Sequence, residues 1–313
     1  RYRKLGKSDL DVSVICQGCW SIVTEDSTWG GNALEDSVAA IHTSLDAGVN
    51  FFDTAEGYGG GESERILAEG LGDRRREVVI ASKVSRSHLA APDVKQHCER
   101  SLRNLRTDVI DLYQIHWPNR EIPLNETLGA MEELRREGKI RHIGLSNFGV
   151  SFLREAAEMS DIQANQLCYS LLWRAIEHEV QPACVEASVS ILCYSPLCQG
   201  LLTGKFASAD DVPVSRARTR LFSQDRPQSR HGEPGCEEEV FAVIDGIRQV
   251  AESLGEPMGH VALAWLLQRD GVVSTIAGAR NARQARENAR AADLVLEEER
   301  LPGAKARTPE IKN

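Results

Sequence analysis

The sequence predicts an α/β fold, a closed (β/α)₈ barrel of the TIM type, on three observations. Short apolar runs alternate with helical patterns roughly every 25–40 residues, as expected of repeated βαβ units. Eight such strand-and-helix pairs can be traced along the 313 residues. No Pro/Gly/Ser-rich linker cuts the chain into two compact halves, which disfavours an open doubly wound sheet with a second domain. Residues 1–313 are therefore read as a single barrel domain.

Tyr2 to Leu5 and Leu10 to Ser13, joined by Gly6-Lys7-Ser8-Asp9, read as a hairpin closing the barrel bottom. Val12 to Gln17 is the first strand, and Glu35 to Ala47 is a helix with Val38, Ile41 and Leu45 on one stripe and Gly48 at its end. Asn50 to Asp53 is the second strand, and Ser63 is placed to cap the helix that carries Ile66, Leu67 and Leu71. Val78 to Lys83 is the third strand, after which Pro92 opens a helix carrying Val94, Cys98, Leu102 and Leu105. Val109 to His116 is the fourth strand, Pro123 to Arg136 a helix stopped by Gly138, Ile140 to Ser146 the fifth strand, and Val150 to Met159 its helix. Ile162 to Gln166 and Val189 to Tyr194 are strands six and seven, with a helix from Glu177 to Ala187 between them. Residues 206–239, rich in Arg, Ser, Pro and acidic side chains, break the rhythm as a long loop after strand seven, of the kind that is usually functional or disordered. Val240 to Leu254 and Met258 to Gln268 read as helices, Val272 to Ile276 as strand eight, and Asn281 to Ala291 as the last helix.

With 42% hydrophobic residues the chain can bury a large core. A formal net charge of −9 argues against a nucleic-acid partner but allows a local basic pocket for phosphate. No apolar stretch approaches the roughly 20 residues that span a bilayer, and Arg1-Tyr2-Arg3-Lys4 has no apolar signal core behind it. No membrane partner is expected. The eight cysteines lie scattered, several inside apolar runs, as small hydrophobes in a reducing compartment would, so a cytoplasmic location is expected. Cys16-Gln17-Gly18-Cys19 has CxxC spacing but no second ligand pair, and no metal is expected there. Oligomerisation is left open.

Four ionisable residues stand at or just past the C-terminal ends of predicted strands: Asp53, Tyr58, Lys83 and His116. Parallel strands gather these ends on one face, where α/β enzymes build their sites. Taken singly, Asp53 reads equally as a loop cap, Lys83 as a surface charge and His116 as a core histidine. Their occurrence on three successive strand ends favours a shared role. A free phenol with pKa ~10 gives up its proton reluctantly, and a neighbouring ammonium would stabilise the phenolate. Lys83 is expected to lower the Tyr58 pKa, Asp53 to hold Lys83, and His116 to orient a substrate oxygen, so that Tyr58 protonates an oxygen or deprotonates a hydroxyl. Rival motifs fail: Gly57-Tyr58-Gly59-Gly60-Gly61 is followed by Glu62 rather than the last Gly of GxGxxG, no Tyr has Lys four residues on, and no GxSxG occurs.

Around these residues the chain resembles the aldo-keto reductases, in their bacterial and potassium-channel-β-subunit-like branch. Phe52 to Gly59 resembles the signature around that family's catalytic Asp and Tyr, while Ala81-Ser82-Lys83 and Gln114-Ile115-His116 resemble its Lys and His motifs. Gly144-Leu145-Ser146-Asn147-Phe148 and Tyr194-Ser195-Pro196-Leu197 resemble its nicotinamide-side motifs. The resemblance implies a barrel that binds extended NADP(H), with NAD(H) as the alternative. It implies Ser146, Asn147 and Gln166 on the carboxamide, Tyr194 on the nicotinamide ring, Ser195, Leu197, Gly200 and Lys205 along the pyrophosphate, and Trp20, Asp53 and Pro196 as further cofactor contacts. At the C-terminal motif it implies Gly278, Arg280, Gln284, Glu287 and Asn288, with Arg280 as the surviving cation where many members have Lys at position 278 and Arg at 284. Of Arg216, Arg218 and Arg220 in the long loop, Arg218 best resembles the branch's cofactor-clamping arginine. Trp20, Trp29 and Trp117 are expected to wall a substrate pocket.

The function expected is NADP(H)-dependent interconversion of an aldehyde or ketone with its alcohol, on a small carbonyl or sugar substrate. Oxidation of a sugar or polyol is the same chemistry reversed. The alternative from another class is a cofactor-binding, redox-sensing subunit. Channel β subunits typically carry Asn where this chain has His116, and the intact quartet favours the enzyme.

Overall fold

The computed structural model describes residues 1–25 and 30–297, so Trp29, one of the expected pocket walls, lies outside the described residues. The chain begins with an antiparallel hairpin, β1 (Tyr2–Lys4) and β2 (Asp11–Ser13), followed by β3 (Ile15–Gly18) and α1 (Leu34–Asp46). Next come β4 (Phe51–Asp53), α2 (Glu62–Leu71), β5 (Val79–Val84), α3 (Ala91–Leu105), β6 (Ile110–Ile115) and α4 (Leu124–Arg136). They are followed by β7 (Ile140–Ser146), α5 (Val150–Met159), β8 (Ile162–Cys168), α6 (Val180–Glu186) and β9 (Ser190–Tyr194). After the long loop stand α7 (Glu237–Leu254), α8 (Met258–Leu266), β10 (Val272–Gly278) and α9 (Ala282–Arg290). Strands β3 to β10 pair in sequence order as a closed parallel barrel, and β10 returns to β3 in the register Thr275↔Ile15. This is the (β/α)₈ fold expected.

Strand side chains alternate between the barrel interior and the helix layer because the pleat has a period of two. Cys16, Phe51, Val79, Ala81, Leu112, Ala164, Leu192 and Ile276 face inward, and they pack with Leu5, Leu10 and Val12 of the hairpin. The hairpin thus plugs one end. Gly6 N donates to Ser190 Oγ at 2.7 Å and Lys7 N to Gln163 Oε1 at 2.8 Å, so the plug is pinned to the starts of β8 and β9. Only glycine fits at position 6: its φ is +54°, and a Cβ would come within 2.5 Å of Gln163 O. The outward residues, such as Ile80, Tyr113 and Ile115, pack against the helices in a larger cluster. Val94, Cys98, Leu102 and Leu105 are buried on α3 as their spacing predicts, and Gly138, at φ +75°, follows α4.

Four local expectations are corrected. The first strand is two strands, because Ser13 N donates to Asn50 Oδ1 (2.7 Å) and Ser13 Oγ to Ile15 O (2.7 Å), which turns the chain from hairpin into barrel. Ser63 does not cap α2; Gly61 precedes the helix in the left-handed region, and Ser63 Oγ donates to Cys19 O at 2.6 Å, tying α2 to the turn after β3. The helix expected from Glu177 starts at Val180, behind a 3₁₀ turn at Ala175–Glu177. α7 starts at Glu237 rather than Val240, with Glu237, Glu238 and Glu239 in a first turn where the helix dipole favours acidic groups.

Leu5 is fully buried in the plug. Leu5→Ala is expected to lower unfolding stability by about 2–5 kcal/mol, the usual result of emptying a leucine site, as read from urea denaturation.

Candidate active site

With the plug at the starts of the strands, the open face of the barrel lies at their C-terminal ends. Asp53 is the last residue of β4, Lys83 lies near the end of β5, and His116 directly follows β6. Tyr58 sits in a tight turn after β4, where Gly59, Gly60 and Gly61 all have positive φ. Lys83 is fully buried; its Nζ lies 2.6 Å from Asp53 Oδ1 and donates to Thr54 O at 2.8 Å and Tyr58 Oη at 3.3 Å. The Tyr58 ring stacks with Trp20 (centroids 6.0 Å apart) and meets His116 edge-on at 5.7 Å. The four residues singled out from strand ends are thus brought together.

Burial works against the Lys83 ammonium, but Asp53 and Tyr58 outweigh it and push its pKa up to about 12. His116 moves the other way: burial first, then the Lys83 charge, lowers it to about 3, leaving a neutral imidazole near pH 7. Tyr58 departs from expectation. Burial raises its pKa, Lys83 pulls it back, and Asp53 pushes it up again, with the balance above the ordinary phenol value. The carboxylate that holds Lys83 also blunts the ammonium's field at the phenol. Tyr58 is half-buried, so water at its open side tempers the rise.

Asp53 is the hub of the polar layer. Its Oδ2 accepts from Gln166 Nε2 at 2.8 Å and from Gln114 Nε2 at 3.3 Å. The sequence marks Gln114 only as part of the histidine motif; lying two residues before His116, it shares the inward parity that singles it out. Gly144 makes its room, since a Cβ there would lie 2.9 Å from Gln114 Cγ.

The residues expected on the nicotinamide side form one network. Tyr194 Oη donates to Asn147 Oδ1 (2.9 Å), Asn147 Nδ2 to His116 O (3.1 Å) and Ser146 Oγ (3.0 Å), and Ser146 Oγ to Gln166 O (3.1 Å). Asn147 has φ +64°, a conformation Asn tolerates better than most residues. Ser146 and Asn147 do not cap α5, whose N-cap is Gly149.

Ser195 (φ +52°), Pro196 and Leu197 follow β9 into the turns of Cys198–Thr203. Gly200, at φ +98°, lies under the Lys205 amine, which a Cβ would approach to 2.8 Å. The Lys205 pKa is lowered by burial and by the charges of Arg216 and Arg280, so three cations share this region. Arg216 and Arg218 both lie half-buried in the long loop. Arg280 Nη2 donates to Gly31 O and its backbone N to Gln284 Oε1 at 3.0 Å, while Asn288 Nδ2 donates to Gly278 O at 3.1 Å. These bonds shape the turn between β10 and α9. Glu287 faces Arg283 at 3.9 Å. Trp117 is 49% exposed, next to His116.

A profile of the Aldo/keto reductase family matches residues 14–305. The chain belongs to the aldo/keto reductase family. Among aldo/keto reductase relatives, the NADH-specific methylglyoxal reductase of Escherichia coli (strain K12) is 31% identical, over 93% of this chain and 93% of the enzyme. A crystallised aldo/keto reductase from Klebsiella pneumoniae in complex with NADP and acetate is 30% identical, with a TM-score of 0.78 over 99% of this chain and 96% of that one. The glycerol dehydrogenase of Gluconobacter oxydans is 28% identical, with a TM-score of 0.82 over 96% and 92% of the two chains. No helix among the described residues is long and apolar enough to cross a membrane.

Two measurements check these electrostatics. Asp53→Asn removes the carboxylate that, alone among the described residues, pairs with the buried Lys83 ammonium. It should destabilise the fold by about 3–5 kcal/mol, read by denaturant unfolding. The second concerns acid. The folded His116 titrates below the ordinary histidine value of about 6.5, so between that value and about 3 the unfolded chain binds more protons than the native one. The stability due to neutral His116 is complete above the unfolded value and is lost as pH falls through this window. His116→Asn should therefore flatten the stability–pH curve below about pH 6.5.

Proposed function

We propose that this aldo/keto reductase interconverts an aldehyde or ketone and its alcohol with NADP(H), and that Tyr58 is the group that exchanges the proton with the substrate oxygen. The contact of Lys83 Nζ with both Asp53 Oδ1 (2.6 Å) and Tyr58 Oη (3.3 Å) is the observation that supports this most strongly. Tyr58 is protonated at neutral pH and therefore holds the proton that a carbonyl oxygen needs. Lys83 stabilises the phenolate left behind, which is where the transition state develops charge. Asp53 keeps Lys83 charged throughout. His116, neutral near pH 7, donates a hydrogen bond to the substrate oxygen without competing as an acid. In the oxidative direction the same groups run backwards, with Tyr58 taking the proton of a hydroxyl.

The residues present fit the cofactor. Lys205, Arg216 and Arg280 form a cationic region in a chain of net charge −9, suited to phosphates. Ser146, Asn147 and Gln166 present side-chain amides and a hydroxyl to a carboxamide, and Tyr194 offers a ring face. Trp20, packed on Tyr58, would border the substrate. When bound, the nicotinamide supplies or accepts the hydride at the substrate carbon. The NADP complex of the Klebsiella pneumoniae relative supports NADP(H), and the NADH-specific relative makes NAD(H) the comparison to run. The whole chain is read as one barrel domain acting on a small molecule.

Tyr58→Phe is expected to abolish NADPH oxidation with 4-nitrobenzaldehyde while leaving cofactor affinity near wild type. Undiminished turnover would overturn the assignment, and cofactor binding by the wild type without turnover across a panel of carbonyls and polyols would favour a sensor. Arg280→Met should weaken NADPH more than NADH if this arginine meets the 2′-phosphate, by about tenfold or more, the loss expected for about 1.4 kcal/mol or more of binding free energy; equal loss for both would assign it elsewhere.

A further inference from the structure

Beside the Tyr58 turn lies a group of residues that the proposed reduction does not use. Glu56 is 1% exposed, yet four groups converge on its carboxylate. Ser85 N donates to Oε1 at 2.7 Å, His88 Nδ1 lies 2.8 Å from the same oxygen, and His97 Nδ1 and Arg100 Nη2 (2.9 Å) both meet Oε2. The two imidazoles stack, with centroids 3.6 Å apart and planes 11° from parallel. One carboxylate oxygen of Glu56 and one ring nitrogen of each histidine all lie within 4.8 Å of one another.

We propose that Glu56, His88 and His97 form a binding site for a divalent transition-metal ion of the zinc and cobalt class. Two imidazoles and a carboxylate are a donor set that suits such ions and not magnesium or calcium, which favour all-oxygen sites. Three protein ligands leave a fourth position for water, and the partial exposure of His88 and His97 provides the way in. The site is partly preorganised: Glu56 is fixed by the Ser85 amide, and His97 sits on α3. His88 lies in the short turn Arg86–His88, so it can close the remaining distance to zinc–ligand lengths of about 2.0–2.2 Å. Arg100 competes for Oε2, but its side chain is 41% exposed and can withdraw to water when a divalent charge replaces it. The ion would bind two residues from Tyr58 and join that turn to α3. None of this depends on the reductase reading, and its test does not use turnover.

The test is titration of cobalt(II) into the tag-free, chelator-treated full chain, followed by zinc competition. We expect one ion per chain, visible d–d absorption of a low-coordinate ion without a thiolate charge-transfer band, and a higher Tm with zinc. His88→Gln and His97→Gln should each weaken cobalt binding by at least about tenfold, since losing even a partner behind a ligand costs about that much. The absence of saturable binding to the wild-type chain, or a thiolate band, would overturn the proposal whether or not a variant folds. So would wild-type affinity in both histidine variants.

Discussion

The barrel's polar end is organised around the buried ion pair between Asp53 and Lys83. An ammonium without exposure to water is tolerable only if its charge is met and its protons are bonded, and Asp53, Thr54 O and Tyr58 Oη meet those needs. The same carboxylate collects Gln114 from β6 and Gln166 from β8. Side chains from three strands thus share one anion held by a fourth, and the layer they form lies above an apolar cluster in the barrel interior. An apolar pair of similar volume would hold such a barrel equally well or better. It would not bring a charge to a phenol.

That arrangement contains an opposition. Asp53 keeps Lys83 charged and, by its own charge, weakens the effect of Lys83 on Tyr58. In the proposed reaction the site would therefore keep its proton in the resting state and count on Lys83 only as negative charge develops on the phenol oxygen. His116 avoids rivalry with Tyr58 because the same ammonium and its own burial keep it neutral. Proton-bearing groups and the cationic region of Lys205, Arg216 and Arg280 come from different strand ends and loops. In the proposed function one open face would thus address an oxygen and a phosphate separately.

The barrel was legible in the sequence because parallel strands buried on both faces read as continuous apolar runs, and their spacing with helices is regular. Asp53, Lys83 and His116 were legible because each polar residue follows such a run. What could not be read depended on contacts between distant residues. Ser63 has a capping residue's chemistry and position, yet its hydroxyl is taken by Cys19 O, 44 positions earlier. The direction of the Tyr58 shift rests on burial, which only the closed barrel determines. Glu56 meets His88 and His97 across 32 and 41 positions, a separation that leaves no local pattern. Arg216 joins Lys205 and Arg280 across 11 and 64 positions, again with no local pattern to announce it.

The seam between β3 and β10 has a consequence for how the chain comes to be made. Ser274 Oγ donates to Ser13 O across 261 positions, and β10 completes both the β9 and the β3 ladders. A ribosome delivers the first strand long before the last, so both flanking edges stay unpaired through most of synthesis. Closing so long a loop is entropically costly and pays back only when the final strand seats. The hairpin plug can pin β8 and β9 earlier, which leaves residues 272–278 as the clasp that commits the nascent protein to its native form.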